Sequence, residues 1–455
     1  MKPTISEQLV KHFYSMAYEN LPPESHAAVK RLLLDYFGVA LAGSCSESGR
    51  IAIRYAQAVG GKAQSTLIGD GTLVPMELAA FANAISSHSI ELDDIDVLAL
   101  FHFSPPVCSA SLSAAEKAEA SGKDLVAAVA AGCEMMERVS KATNNALRNR
   151  GFHTTPTCGV FGAAVATAKL LNLNKKEFVS SLGLSGAQAS GLMEMYGPSM
   201  QKRFNPGPSA RNGVAAAHIA SLGFTGAATI FEGERGFGRA FSGDFDAGRL
   251  VEGFRRPYRL DIEFKPYACA RPIHNAIDCV LEIKSRDNPD PLSIRRIFMA
   301  RNPDWAYYHQ NASPKTIHEA QVSLPFSVAV ALKEGKALLD QYSNANIAAP
   351  VIKRLSKLVE FIVDERLPCG VSCRMTIEMS DSRKFVAQVD HPKGSIQNPM
   401  TDEELHRKFV NLAETVIGKS CSAQLADKVE HIEHVSNIRN LMKLTASAAR
   451  RRNKK

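Results

Sequence analysis

The segment "SSHSIELDDIDVLALFHFSPPVCS" gathers His88, Glu91, Asp93, Asp94, Asp96 and His102 within one short span. Carboxylates and imidazoles exchange protons in catalysis, and the same groups can ligate Mg²⁺ or iron. Adjacent acids at a helix end point in different directions, so some of Glu91, Asp93 and Asp94 must face solvent or cap backbone amides. Three roles stay open for these acids: metal ligand, cap, or active-site group. His102 stands between two phenylalanines and ahead of Pro-Pro, in a short loop before a helix, where a structural histidine is as reasonable as a reactive one.

Three further stretches carry reactive groups. In "RGFHTTPTCGVFGAAVATAKLLNL", His153 sits at the mouth of a helix made almost wholly of small residues, as either a capping group or a reagent. In "SMQKRFNPGPSARNG", Lys202 and Arg203 precede Pro-Gly-Pro, and Ser209 reads as the cap of a helix. Two cations at a helix N-terminus suit an anion, because the free amides and the dipole add to the charges; the alternative is a pair of solvated basic residues. In "FKPYACARPIHNAID", Lys265, Arg271 and His274 surround a turn where the texture of the chain changes, and such junctions commonly meet substrate. No P-loop is present, no G-x-G-x-x-G follows a strand, and there is no G-x-S-x-G elbow. "GERGFGRAF" has glycines without strand-to-helix context.

The composition is that of a soluble globular protein, 45% hydrophobic and 22% charged over 455 residues, enough for two or three domains. No apolar run reaches the ~20 residues of a membrane helix, and the start lacks a secretory h-region; Thr4 and Glu7 read as a capping box instead. Nine scattered cysteines without C-x-x-C argue against disulfides or zinc and for a reduced, cytoplasmic setting. Cys369 and Cys373 alone have the spacing to flank a metal, and no histidine or second pair lies nearby, so no metal is expected. The net charge is +8, but Arg450, Arg451, Arg452, Lys454 and Lys455 supply five of those charges in a frayed tail. No recognition helix or RNP stretch accompanies them, so nucleic acid is not an expected partner. A moderately basic body fits a small anionic substrate.

These groups must be held by two kinds of structure. Up to about residue 260 helix follows helix, from Glu24–Ala42, stopped by Gly43, through segments whose inner faces are Ala and Gly. The chain then reads as strand (260–270), helix (271–285), strand ("SIRRIFMAR"), helices (318–336, 347–358) and a hairpin around Ser380–Arg383, an α+β pattern. After Gly394 it is helical again. The expected fold is mostly α: an all-helical domain from both chain ends, residues 1–262 and 398–455, with an inserted α+β lid domain at 263–397.

Taken in order, "LLLDYFGVALAGS", "ELDD" followed by a histidine, "GFHTT…GVFGAAVATAKLLNL", "QKRFNPGPSARNGVAAAHIASLGFTG", "FKPYACARPIHNAID", "EAQVSLPFSVAVAL" and "NPMTDEELHRKF" resemble the MmgE/PrpD family over nearly the full chain. That family includes 2-methylcitrate dehydratase, cis-aconitate decarboxylase and iminodisuccinate epimerase. The resemblance implies a cleft between the two domains, a homodimer, and catalysis with no metal or organic cofactor. It implies that His102 and His153 are the active-site histidines, and that Lys202 and Lys265 are the basic residues of the "KR" loop and the "KPY" stretch. Glu91, Asp94, Arg203, Arg271 and His274 are then the expected substrate contacts. Three positions depart from the decarboxylases: Glu91 replaces the first Asp of D-x-D-D, Ile95 the threonine after it, and Phe326 the tyrosine of S-x-x-Y.

The shared chemistry of such enzymes is making or breaking a bond at a carbon beside a carboxylate, which needs cations for the developing charge and imidazoles for the proton. A 2-methylcitrate dehydratase-like hydro-lyase acting on a hydroxy-polycarboxylate is the leading expectation. A dicarboxylate epimerase, a cis-aconitate decarboxylase-like enzyme and a non-catalytic carboxylate-binding protein are the alternatives.

Overall fold

The computed structural model describes residues 2–96, 101–143, 145–195, 199–254, 258–368 and 370–447. Cys369 and the basic tail from Arg450 to Lys455 lie outside the described residues. The fold is mostly α, as the sequence pattern requires. The chain divides into two units: Met1–Ser89, Asp93–Ile262 and Thr401–Lys455 form the first, Ile90–Leu92 and Glu263–Met400 the second. Ile90–Leu92, inside the range read as helical domain, thus cluster with the second unit.

The first unit is a helical assembly centred on Thr154–Leu170, whose residues are almost all buried. A helix apolar on every side belongs in the middle of a bundle. It packs on Ser104–Ala118, Gly122–Ala142, Lys175–Gly186 and Pro206–Ser221. Small residues permit these crossings: a Cβ on Gly162 would lie 2.6 Å from the carbonyl oxygen of Gly132, and one on Gly213 2.5 Å from the Ala163 Cβ. Gly162→Ala is therefore expected to cost about 1–3 kcal/mol of stability, the range for overpacking. Chemical denaturation measures it, and an unchanged midpoint would show that the crossing opens freely. Lys169 closes the helix by donating to the carbonyls of Phe13 and Met16, at 2.8 and 2.6 Å.

The expected capping box at Thr4 and Glu7 is formed. Two expected boundaries move. The second helix runs Pro23–Ser44, through Gly43, which serves close approach rather than termination: a Cβ there would sit 1.9 Å from the Ser86 carbonyl oxygen. Ser209 is no cap, because its helix starts at Pro206; its hydroxyl donates to the Pro156 carbonyl at 2.9 Å.

The second unit holds a four-stranded sheet in the order Val359–Val363, Ile294–Arg301, Cys373–Met379, Lys384–Val389, with the first pair parallel and the others antiparallel. Helix His274–Asp287 packs on the last two strands. The hairpin falls where expected, with Ser382 at φ 68° in its turn. The alternating stretch before Arg271 is not a strand: it is irregular around a single bridge residue, Glu263. Val359–Val363, read as no element, takes the place beside Ile294–Arg301. Alternation shows that a segment can be half-buried, whereas a strand also needs a partner with unpaired amides. The two long helices expected here are each broken, into Ile317–Gln321 and Leu324–Glu334, and into Asn344–Ala348 and Pro350–Lys357. Pro325 and Pro350 both open new helices, since neither can donate within one.

Candidate functional site

Each reactive group of the first unit is fixed by its backbone before its side chain is considered. The residues ahead of helix Thr154–Leu170 are tied to residues 191–193: His153 N donates to Gly191 O at 3.0 Å and Met193 N to Gly151 O at 2.8 Å. Gly191 is at φ +112°, and a Cβ there would meet Pro156 Cγ at 2.2 Å. His153 occupies the N-cap position of the helix but makes no side-chain cap. The capping reading of this residue therefore fails on geometry, and its ring is turned to other partners.

His102 precedes helix Ser104–Ala118. Asp94 caps that helix: its Oδ2 accepts from Phe103 N at 2.7 Å and its Oδ1 from Ser104 N at 3.1 Å. Burial and the neighbouring Asp93 charge raise the Asp94 carboxyl above its usual range. Of the roles open to Asp94, the structure shows the cap. Asp93 does something different. Its Oδ2 lies 2.6 Å from His88 Nδ1 and 2.9 Å from His102 Nδ1, and His102 Nδ1 is also 2.6 Å from the carbonyl oxygen of Asp94. A carbonyl only accepts, so His102 Nδ1 carries a hydrogen, which leaves Nε2 as the nitrogen that can exchange a proton. The His88 and His102 rings meet edge to face at 4.8 Å, and the His88 and His153 centroids are 6.3 Å apart.

His153 is held from the other side. Asn205 Nδ2 lies 3.0 Å from His153 Nδ1 and 3.4 Å from the Leu192 carbonyl oxygen, and Asn205 Oδ1 accepts from Gln201 Nε2 at 3.3 Å. A carbonyl facing the amide nitrogen and a donor facing its oxygen fix which way the amide points. His153 Nδ1 is therefore the acceptor, and its hydrogen is on Nε2. The partners thus place a hydrogen at Nδ1 of His102 and at Nε2 of His153.

Electrostatics keep the His88 and His153 rings uncharged. Burial pushes His88 down to about 4, although Asp93 opposes the shift. Burial holds His153 well below the usual imidazole range, helped by His88, His102 and Lys202. Lys202 and Arg203 lie on the short helix Gln201–Phe204 and are 6% and 4% exposed, so neither is a solvated surface cation.

In the second unit, Lys265 Nζ lies 3.4 Å from Glu91 Oε2 and 3.3 Å from Glu91 O, both side chains being almost fully buried. Glu91 takes φ +56°, a conformation rare for a side-chain-bearing residue. Arg271 is engaged by Glu263 at 2.8 Å, by the Lys393 carbonyl at 2.9 Å and by His274 Nδ1 at 3.2 Å. His274 Nε2 faces the Cys269 carbonyl at 3.2 Å. Arg271 and His274 are thus built into a buried structural network. The first unit brings together Asp94, His102, His153, Lys202 and Arg203, the second Glu91 with Lys265 and Arg271 with His274.

Three contributors had little sequence signal. Asn205 stands before Pro206, where asparagine reads as a turn residue. His88 and Asp93 were visible only as members of an acidic cluster, with nothing to single out Asp93 as the shared acceptor. Among the described residues, His88, Asp93 and His102 also have ligand atoms within 4.8 Å of one another.

The described cysteines are free thiols, and no described helix is long and apolar enough to cross a membrane.

Known proteins match this chain along most of its length. The MmgE/PrpD N-terminal domain matches residues 7–250 and the MmgE/PrpD C-terminal domain residues 267–434. The cis-aconitate decarboxylase of Aspergillus terreus is 25% identical over 94% of this chain and 93% of its own length. The human cis-aconitate decarboxylase is 24% identical over 90% and 88%, and the cis-aconitate decarboxylase-like protein oryM of Aspergillus oryzae is 26% identical over 91% of each chain. With both domains matched in order, the chain belongs to the MmgE/PrpD family.

Proposed function

We propose that this protein is a lyase acting on a small di- or tricarboxylate, moving a proton at the carbon beside a carboxylate through imidazole groups, without metal or organic cofactor. The observation that carries the reading is the buried cluster of His102, His153 and Asp93 with Lys202, in which imidazole rings sit close to a cation. Such a set can exchange a proton and meet developing negative charge in a low-dielectric setting. Lys202 and Arg203 are the groups for substrate carboxylates in the first unit, and Lys265, ion-paired with Glu91, is a separate candidate for that role.

Two bond cleavages suit this machinery. Expulsion of a β-hydroxyl, as in a 2-methylcitrate dehydratase, is supported by the apolar residues Ile95 and Phe326 at positions polar in the decarboxylases. Phe326 is buried with its ring 5.9 Å from that of Tyr342. Loss of CO₂ from a cis-aconitate-like acid is supported by the named relatives, which match over about nine-tenths of both chains. Proton NMR in D₂O with hydroxy-tricarboxylates and cis-aconitate separates them. New vinyl signals without gas mean a hydro-lyase, and CO₂ release means a carboxy-lyase. Deuterium uptake without net change means an epimerase, and tight binding with no turnover would reduce the protein to a carboxylate binder. A homodimer and a cytoplasmic location complete the proposal, the former checked by light scattering.

Exhaustive chelation is expected to leave turnover unchanged. Loss of activity on EDTA treatment, restored by one divalent ion, would instead give His88, Asp93 and His102 to a metal.

A further inference from the structure

We infer that Asp93 and Asn205 are positioning residues that divide the labour of the two histidines: Asp93 makes His102 the group that exchanges the proton, and Asn205 makes His153 a neutral hydrogen-bond donor that exchanges none. The inference rests on the lyase reading and deepens it, because the chemistry alone leaves the two rings interchangeable.

Acceptors decide the first ring. Asp93 Oδ2 and the Asp94 carbonyl both require a donor at His102 Nδ1, at 2.9 and 2.6 Å. Nε2 of His102 is therefore the nitrogen that can exchange a proton, and the carboxylate behind the ring stabilises the imidazolium that forms when Nε2 takes one. A carboxylate behind an imidazole sets tautomer and orientation in the same way in serine hydrolases. His153 has the opposite environment. The group at its Nδ1 is an amide N–H, 3.0 Å away, which disfavours a proton there. Its Nε2–H can polarise a carboxylate oxygen without giving up its hydrogen, and the cations and burial around it oppose an imidazolium.

The step balances. When a carbon–hydrogen bond beside the carboxylate breaks, the proton goes to His102 Nε2 and the electron pair moves into the carboxylate. One oxygen of that carboxylate gains charge and receives the hydrogen bond from His153 Nε2–H. In a dehydration the pair returns to form the carbon–carbon double bond as the β-hydroxyl leaves, taking the proton from His102 as water. In a decarboxylation the carbon–CO₂ bond breaks instead, its electron pair stays on the substrate, and His102 Nε2, having first taken a proton from solvent, delivers it to the carbon. His88, also held through Nδ1 by Asp93 at 2.6 Å, shares the carboxylate, and its Nε2 has no hydrogen-bond partner among the described residues.

The test is ¹⁵N NMR of the full-length protein labelled at histidine, with His88→Asn, His102→Asn and His153→Asn used for assignment. At neutral pH the His102 signals should show hydrogen on Nδ1 and the His153 signals hydrogen on Nε2, with His153 neutral. The same tautomer in both rings, or a charged His153, overturns the inference. Kinetics supply the second arm. Asp93→Asn is expected to lower kcat by about 10²–10⁴-fold with little change in KM, and to change the His102 ¹⁵N signals, because the acceptor behind Nδ1 is altered. Asn205→Asp places an acceptor at His153 Nδ1, so it should move the His153 hydrogen to Nδ1 and lower kcat. A folded Asp93→Asn enzyme with the wild-type kcat and His102 signals overturns the role of Asp93. The spectra need no substrate. Opposite tautomers in a protein that turns over no polycarboxylate would sink the lyase reading alone, and matching tautomers in an active enzyme would sink this inference alone.

Discussion

Asparagine in place of His102 or His153 is expected to lower kcat/KM by about 10²–10⁴-fold while the fold survives. His102 loses the only ring nitrogen that can exchange a proton, since its other nitrogen is committed to Asp93 and the Asp94 carbonyl. His153 loses a donor aimed by Asn205, and removal of one such donor at a site of developing charge typically costs about 10²–10³-fold. The His102→Asn variant should also stop exchange of substrate hydrogen with solvent, whereas His153→Asn should slow exchange and turnover together. The double variant should be little worse than the poorer single one, because groups acting as a unit are strongly non-additive. Measurement of kcat/KM for the three variants, with circular dichroism as folding control, decides the matter. Folded variants with near-normal rates would remove both rings from the mechanism.

Lys202→Ala should weaken substrate binding and slow turnover by roughly ten- to a hundred-fold, the equivalent of a charge-assisted hydrogen bond of about 1.5–3 kcal/mol. A second consequence has a definite sign. The Lys202 charge is among the causes that depress His88 and His153, so its removal lets both rings protonate at higher pH. If His153 must be neutral, activity should fall away at a higher pH on acidification than in the wild type. Lys202→Met preserves more of the packing and should show the same shift. Unchanged kinetics together with an unchanged pH profile would make Lys202 a structural cation. Lys265→Ala carries a further penalty, because Glu91 is then buried without this partner. Breaking one side of a buried pair typically costs about 3–5 kcal/mol, so its kinetics are interpretable only beside a Glu91→Gln/Lys265→Met variant that removes both charges.

Much of this protein was legible in its residues. Helical periodicity, the Thr4 capping box, the small-residue helix after His153 and the hairpin around Ser380–Arg383 all follow from local rules, because each is decided by residues within a few positions of one another. The histidines and lysines proposed as reactive were singled out by their order along the chain, which matches that of a family. What local pattern could not supply was partnership. The stretch before Arg271 alternates like a strand yet bridges only at Glu263, while Val359–Val363 lacks the pattern and gains a place through its parallel register with Ile297–Arg301.

The acids show the same division. Sequence placed Glu91, Asp93 and Asp94 within four positions, named Glu91 and Asp94 as expected substrate contacts, and singled out no role for Asp93. Tertiary structure separated them, giving Glu91 to Lys265, Asp94 to the amides of helix Ser104–Ala118, and Asp93 to two histidines. The tautomer of His153 depends on an amide 52 positions away. Residue type fixes which protons can move, but the direction of each hydrogen bond depends on which acceptor the folded chain brings within about 3 Å, and no spacing along the sequence encodes that.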